Sequence, residues 1–320
     1  MIKIVVLSSE LLEIHKKRIR ETADQIRARV CFAESEDQIP VEFEDAQILY
    51  GYGGQFPSKN RNLKWICSPA AGVERLLQPG VFANEDCMIT NSAGAFGVSI
   101  AEHIIMVSLM LLRQMTVIYP KSVSGEWGDR LWQKSLKDCR ITVLGTGDIG
   151  CCFARRVKAF EPGQLVGICR SGSCQEPAFD RIRKPDELDG ILPETDLLVM
   201  CLPDTPQTRG ILSKERIGLL ARGAYVVNVG RGNAIDEAAL ADSLETGRLG
   251  GAALDVFTKE PLPGESRLWK LPNLIITPHV AGNMTLAYTM DKNVQMFCED
   301  LLNYAANRPL SYLVDKKLGY

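Results

Sequence analysis

The sequence predicts an α/β protein built from two doubly wound parallel sheets, with one domain inserted into the other. Three observations carry that expectation. Short runs rich in Val, Ile and Leu alternate with helical patterns along the whole chain, the order required by parallel sheets covered on both faces. Six such runs follow residue 140, and the glycine-rich string GTGDIG closes the first of them. At 320 residues the chain is long enough for two domains.

The first series opens with IKIVVL, continues through an amphipathic stretch from Glu10 to Arg29, and adds the runs AQILYGY, LKWIC and CMITN. A long helix is expected from Val98 to Tyr119. The second series is RITVLG, LVGIC, DLLVMCL, AYVVNVG, GGAALDV and NLIITP, six strands, the number of a dinucleotide-binding sheet. A helix from Met284 to Asn307 follows and is expected to return to the first domain. The expected division is therefore 1–97 with 284–320 as one domain and 98–283 as the insertion. Two chain crossings, near 91–99 and 281–285, would form a hinge able to close a cleft and exclude water.

Composition narrows the classes of partner. A formal net charge of −2, with no long run of Lys or Arg, leaves no electrostatic footprint for nucleic acid or an anionic membrane. No apolar stretch reaches the length of a bilayer span, and the N-terminus turns polar too soon for a signal peptide. A cytoplasmic protein with a small-molecule partner is expected. The ten cysteines are scattered through apolar segments with no CxxC pair, which reads as reduced, packed thiols. Cys151 and Cys152 open an expected helix whose N-terminus would stabilise a thiolate, but packing is the preferred reading. No metal site is expected, because neither Cys nor His clusters at ligand spacing.

GTGDIG, residues 145–150, fits G-x-G-x-x-G in the context that gives this weak pattern meaning: a strand ends at Gly145, a helix begins within the motif, and a second strand follows. Gly145 would make the tight turn, Gly147 would let a pyrophosphate approach the backbone at Asp148 and Ile149, and Gly150 would pack helix on strand. The end of the second strand, where NAD-binding sheets place a ribose-binding acid, reads Cys169, Arg170, Ser171. An arginine and a serine suit a 2′-phosphate, so NADP(H) is favoured over NAD(H) as cofactor. Leu202, Pro203 and Thr205, after DLLVMCL, would line the cofactor's path.

TPHVAG at 277–282 puts His279 just after the last strand, and histidine is the side chain most easily used as a general acid near neutral pH. VNVGRG supplies Arg231, and DVFTKEPLP supplies Asp255 and Glu260. Arginine, carboxylate and histidine in that order suit keto-acid reduction: a guanidinium fork to hold the substrate carboxylate and carbonyl, and an imidazole to protonate the emerging alkoxide. An ionised Glu260 beside His279 would favour the imidazolium. Each residue alone is more often a surface charge, a loop residue or a packed hydrogen-bonder, and their joint order outweighs that reading. His15 and His103 have no such context and are taken as structural. Trp127, Trp132 and Trp269 could line the substrate pocket or a dimer interface, and packing is the preferred reading for each.

Together LKWICSPAAGVERL, MITNSAGAFGVSIAEHIIMVSLMLLR, ITVLGTGDIG, LPDTPQTRGIL, VVNVGRG, LDVFTKEPLP and LIITPHVAG make the chain resemble the D-isomer-specific 2-hydroxyacid dehydrogenase family along nearly its whole length. The resemblance implies a Rossmann NAD(P)-binding domain inserted in a flavodoxin-like substrate domain, and an oxidoreductase moving hydride between NAD(P)H and a small 2-keto acid to give the D-2-hydroxy acid. It implies Arg231, Glu260 and His279 as catalytic, Asp255 near the nicotinamide, and the backbone of Ala71, Gly72 and Val73 on the substrate carboxylate. It also implies a homodimer built largely on the segment after Gly97. The missing acid at Cys169–Ser171 is the mark of NADP-using members. Two alternatives stand beside this reading: an NAD-dependent D-3-phosphoglycerate-type dehydrogenase, which lacks a recognisable cation for the phosphate, and a non-catalytic nucleotide-sensing protein on the same scaffold.

Overall fold

The computed structural model describes residues 1–319 and divides the chain into two compact units: Met1–Phe96 with Asn283–Tyr320, and Gly97–Gly282. The first unit contains β1 (Lys3–Leu7), α1 (Glu13–Gln25), β2 (Arg29–Ala33), β3 (Ile48–Tyr50), α2 (Phe56–Lys59), β4 (Trp65–Cys67), β5 (Met88–Thr90) and a C-terminal helix, Ala287–Ala305. Its five parallel strands lie in the order β2-β1-β3-β4-β5, the flavodoxin-like winding. The C-terminal helix packs against α1. Buried Asn293 on that helix accepts from the Tyr50 hydroxyl at 2.8 Å and donates to the Pro69 carbonyl at 2.8 Å, so it anchors the loop after β4.

The second unit runs α3 (Gly97–Leu112), α4 (Met115–Val123), β6 (Arg140–Leu144), α5 (Asp148–Val157), β7 (Gln164–Ile168), β8 (Arg181–Arg183), α6 (Leu188–Ile191), β9 (Leu197–Met200), α7 (Lys214–Leu219), β10 (Tyr225–Asn228), α8 (Glu237–Glu245), β11 (Gly251–Leu254) and β12 (Leu274–Ile276). All seven strands are parallel, in the order β12-β11-β10-β9-β6-β7-β8. Counted from β6, this is the Rossmann order 3-2-1-4-5-6 with one further strand, and it reverses between β6 and β9. The central strands are continuous apolar runs: LLVM, YVVN and GAAL are buried at every position, as a sheet covered on both faces demands.

Two expectations about elements are corrected. The sheets hold five and seven strands, because β2 and β8 also pair as edges. In β8 the sequence RIR is exposed, half-buried, exposed, and charged edge residues of this kind hide a strand from any search for apolar runs. The long helix also does not continue to Tyr119. It stops at Leu112, Gln114 adopts a left-handed φ of 59°, and α4 departs at 79°, with neither Gly nor Pro at the break. Among the described residues no single helix is long and apolar enough to cross a membrane, and only the bent pair of α3 and α4 passes on length and composition together.

Candidate active site

Parallel pairing in register brings the carboxyl ends of the strands of the second unit to one edge. Leu144 lies opposite Met200, Met200 opposite Asn228, Asn228 opposite Leu254, and Leu254 opposite Ile276. The residues just beyond these ends therefore stand in a row: His279 after β12, Asp255 after β11, Arg231 after β10, Leu202 after β9, Gly145 after β6 and Arg170 after β7. Five strand spacings separate β12 from β7, roughly 24 Å, a span suited to an extended dinucleotide.

At one end of the row His279 and Glu260 form a pair, with imidazole Nδ1 2.7 Å from Oε2. The other carboxylate oxygen of Glu260 accepts from the Phe257 amide at 2.9 Å, which fixes its orientation. His279 has a φ of 55°, a left-handed conformation that is uncommon outside glycine. Its amide donates to Asp255 O at 2.9 Å and Thr277 O at 3.0 Å, and these bonds hold the conformation. The ring is half exposed, so Nε2 is available once Nδ1 is given to Glu260.

Asp255 lies behind this turn and is only 3% exposed. Its Oδ1 accepts from the Thr277 hydroxyl at 2.6 Å and the Val280 amide at 2.9 Å, and its Oδ2 accepts from the Ala281 amide at 3.0 Å. The buried carboxylate is thus compensated by three donors, all from the segment that carries His279. Thr277 and Asn228, which bond directly to candidate site residues or their loop, are positions the sequence reasoning missed. Asn228, 1% exposed, donates to the Arg231 carbonyl at 2.9 Å and accepts from the Gly230 amide at 3.0 Å, shaping the loop that presents Arg231. The signal was available: each is a polar residue ending an otherwise apolar strand. Arg231 itself donates to the Gly230 carbonyl at 2.7 Å. Gly232 is obligatory, because a Cβ there would overlap the backbone of Phe257 and Thr258, which locks the Arg231 loop against the segment leading to Glu260.

The glycine motif has the geometry of a phosphate cradle. Gly145 has φ 98°, and a Cβ there would lie 2.7 Å from the Cys201 carbonyl. A Cβ on Gly150 would collide with the Gly145 carbonyl, so α5 sits directly on the turn. An added Cβ on Gly147 meets nothing within 4 Å. The amides of Gly147, Asp148 and Ile149 find no acceptor among the described residues, as expected at a helix start. The Asp148 carboxylate abuts Gly97 at the start of α3. An anion-binding helix N-terminus with open space at its middle glycine fits a pyrophosphate.

Arg170 and Ser171 occupy the middle of a turn closed by Gly172 N–H to Cys169 O at 3.2 Å. The Ser171 hydroxyl donates to the Ser173 carbonyl at 2.9 Å. No carboxylate occurs in this turn, which agrees with a place for an added phosphate. Burial pushes the Cys169 thiol up, but hydrogen bonds from Ser171 and Thr146 and from the Gly172 and Ser173 amides outweigh it and hold the thiol below its usual range.

Thr205 is 9% exposed, and its hydroxyl and amide are both engaged by the Thr208 hydroxyl, which shapes the loop carrying the half-buried Leu202 and Pro203. Cys151 and Cys152 agree with the packing preferred for them: burial raises both thiols, Cys151 to about 12. Trp127 and Trp132 are not packed. They stand 102% and 98% exposed on the segment after α4. Trp269 is half exposed, with its indole donating to the Pro263 carbonyl at 2.9 Å.

In the first unit Ala71, Gly72 and Val73 lie in the loop after β4. Val73 is buried at 2%, and the Ala71 carbonyl accepts from Asn91 at 2.9 Å. No described residue accepts from the three amides.

Comparison with known proteins places these features in context. Residues 105–281 match the family described as D-isomer specific 2-hydroxyacid dehydrogenase, NAD binding domain. A protein of Corynebacterium melassecola described only as uncharacterized is 30% identical over 298 residues, covering 87% of this chain and 91% of that one. The structure resembles that of a D-isomer specific 2-hydroxyacid dehydrogenase family protein from Aeromonas salmonicida, with TM-score 0.87 and 32% identity over 98% of this chain and 99% of that one. It also resembles an NADPH-dependent glyoxylate/hydroxypyruvate reductase from Sinorhizobium meliloti in complex with NADP and sulfate, with TM-score 0.83 and 26% identity over 100% of both. Curated glyoxylate/hydroxypyruvate reductases of Salmonella are matched at 33% identity over 180 residues, 56% of this chain and 56% of theirs.

Proposed function

Because the chain belongs to the D-isomer-specific 2-hydroxyacid dehydrogenase family, we propose that it reduces a small 2-keto acid to the D-2-hydroxy acid with NADPH as preferred hydride donor and NADH as the lesser one. The observation that carries this reading is the His279–Glu260 pair, 2.7 Å apart, on the same sheet edge as Arg231 and the glycine motif.

Glu260 accepts a hydrogen bond from Nδ1–H, so the imidazolium form of His279 presents Nε2–H to the substrate oxygen. As C2 is reduced, His279 gives that proton to the alkoxide; in the reverse direction the neutral ring receives it. Arg231 holds the keto-acid through two parallel N–H donors and stabilises the charge developing on oxygen. The amides of Ala71, Gly72 and Val73 take the substrate carboxylate. Gly145, Gly147, Asp148, Ile149 and Gly150 hold the pyrophosphate, Arg170 and Ser171 the 2′-phosphate, and Leu202, Pro203 and Thr205 form the wall along the dinucleotide. Asp255 holds the segment bearing His279 and borders the nicotinamide. When bound, the reduced nicotinamide supplies the hydride. The complex of the Sinorhizobium meliloti reductase with NADP supports the cofactor preference, and its name supports glyoxylate and hydroxypyruvate as first substrates to try.

The dinucleotide-binding role falls to Gly97–Gly282 and the substrate-binding role to the other unit. A homodimer is proposed through the segment after Gly97, where Trp127 and Trp132 are fully exposed; burying two indoles stabilises association substantially. Ten free thiols without a disulfide suit a reducing, cytoplasmic location. The test is oxidation of NADPH and NADH, followed in parallel, with glyoxylate, hydroxypyruvate, pyruvate, 2-ketoisocaproate and phenylpyruvate. Turnover with NADPH on at least one is expected. NADPH binding without turnover on any would overturn the reading.

A further inference from the structure

Cys151 lies in the first turn of α5 and Cys174 in the loop between β7 and β8. Their sulfurs are 3.7 Å apart, across 23 residues of sequence. Both side chains are half-buried, so a small reagent can reach them. The contact is held from both sides. The Arg155 guanidinium on α5 pairs with Glu176, two residues beyond Cys174, and Cys151 donates to the Thr146 carbonyl at 3.2 Å, with Cys174 Sγ 3.9 Å from the same oxygen. Thr146 is the residue between the first two glycines of the motif. The segment closed by the two thiols contains the turn of Arg170 and Ser171. Cys152, next in sequence, is buried and receives the Arg155 Nη2–H at 3.0 Å, so it takes no part.

We propose that Cys151 and Cys174 are a reversible thiol-oxidation site that takes low-molecular-weight disulfides as its oxidant and, once closed, weakens dinucleotide binding. The second half rests on the cofactor reading above; the first does not. Cys174 reacts first. It sits on the loop with its sulfur receiving the Glu176 amide at 3.5 Å, whereas the Cys151 thiol is engaged by the Thr146 carbonyl at 3.2 Å and is pushed up to about 12 by burial. The Cys174 thiolate attacks one sulfur of the small disulfide, whose S–S bond breaks as one thiolate leaves. Cys151 then loses its proton and attacks the Cys174 sulfur, expelling the second thiolate. The protein pair loses two electrons and two protons, and the small disulfide becomes two thiols.

Closure brings the sulfurs from 3.7 Å to about 2.0 Å, a movement of about 1.7 Å. α5 cannot supply it, because Gly150 already packs against the Gly145 carbonyl. The loop must move, carrying the Arg170–Ser171 turn with it, and the Thr146 carbonyl loses its thiol donor. Loss of one charge-assisted contact corresponds to about a tenfold weaker Kd.

The experiment treats the reduced, full-length protein with glutathione disulfide across a range of glutathione ratios, followed by intact mass, non-reducing peptide mapping and NADPH titration. The expected results are a Cys151–Cys174 linked peptide, a mass lower by two hydrogens, and about tenfold weaker NADPH binding reversed by dithiothreitol. Cys151→Ser and Cys174→Ser should bind NADPH as the reduced parent does and be insensitive to the oxidant. A stable glutathione adduct on Cys169 or Cys174 with no linked peptide would overturn the site. A linked peptide with unchanged NADPH affinity would overturn the coupling. A reduced protein that never binds NADPH would sink the cofactor reading, and peptide mapping would still decide the thiol pair.

Discussion

Replacing Glu260 with glutamine keeps the side chain's shape but removes its charge and one acceptor. Two donors converge on this carboxylate, Nδ1 of His279 at 2.7 Å and the Phe257 amide at 2.9 Å, and a carboxamide has one oxygen to offer them. If that oxygen stays with Phe257, the NH2 group faces Nδ1, and the imidazolium that donates from Nε2 has no acceptor behind it. If it turns to His279, the Phe257 amide faces a donor. Either way one hydrogen bond to a charged group is lost, about 1.5–3 kcal/mol, or roughly 10- to 100-fold in rate if the loss is felt in the transition state. The side chains are 52% and 36% exposed, so solvent screening moves the expectation to the lower end, roughly tenfold. Steady-state kinetics should show that fall in kcat for keto-acid reduction, with the Kd for NADPH unchanged within twofold. A variant turning over within twofold of the parent would refute the role given to Glu260. A parallel loss of NADPH affinity would point to a displaced loop instead.

Gly147→Ala and Gly232→Ala should separate binding from folding: the first meets nothing within 4 Å and should unfold in urea within about 0.5 kcal/mol of the parent while binding NADPH poorly, whereas the second, forced into the Phe257 backbone, should lose about 3 kcal/mol or more. Arg170→Asp should weaken NADPH binding about tenfold or more relative to NADH, through loss of a charge-assisted contact and like-charge repulsion; an unchanged ratio of the two Kd values removes Arg170 from the 2′-phosphate. Asp196 is raised by burial, but bonds from the Arg140 side chain and amide at 2.9–3.0 Å outweigh this and hold it below the usual carboxylate range. Its contribution is therefore present above the unfolded carboxylate pKa, near pH 4, and fades as pH falls through the lower folded value. Asp196→Asn should cost about 1 kcal/mol at pH 7, allowing for solvent screening, and the gap to the parent should close in strong acid; a gap that persists there contradicts the assignment.

The central strands were legible because a parallel strand buried on both faces must be largely apolar, as LLVM, GAAL and all of YVVN but its last residue are. The edge strands were not, since RIR in β8 meets the sheet on one side and water on the other, and RVCFA in β2, which begins at the last residue of the expected amphipathic stretch, was not assigned as a strand. The break at Gln114 left no Gly or Pro to announce it. Among site residues, Gly145 and Gly150 of GTGDIG could be read singly, because each answers to a backbone constraint that only glycine meets. Thr277 and Asn228 showed only as polar residues at the ends of apolar runs; what they bond to, Asp255 and the 230–231 backbone, is supplied by a neighbouring strand or by a loop whose path the string does not give.

What the sequence determined by itself was the fold class and the glycine motif, and it nominated Arg231, Glu260 and His279 as candidates, since periodicity and residue type are local properties. Tertiary structure alone decided that His279 and Glu260 face each other across 2.7 Å, that the buried Asp255 accepts hydrogen bonds from the His279 segment, and that two thiols 23 positions apart lie in contact. Those are facts of register and loop closure, set where parallel strands align their carboxyl ends, and a linear pattern of residues contains no distances between strands.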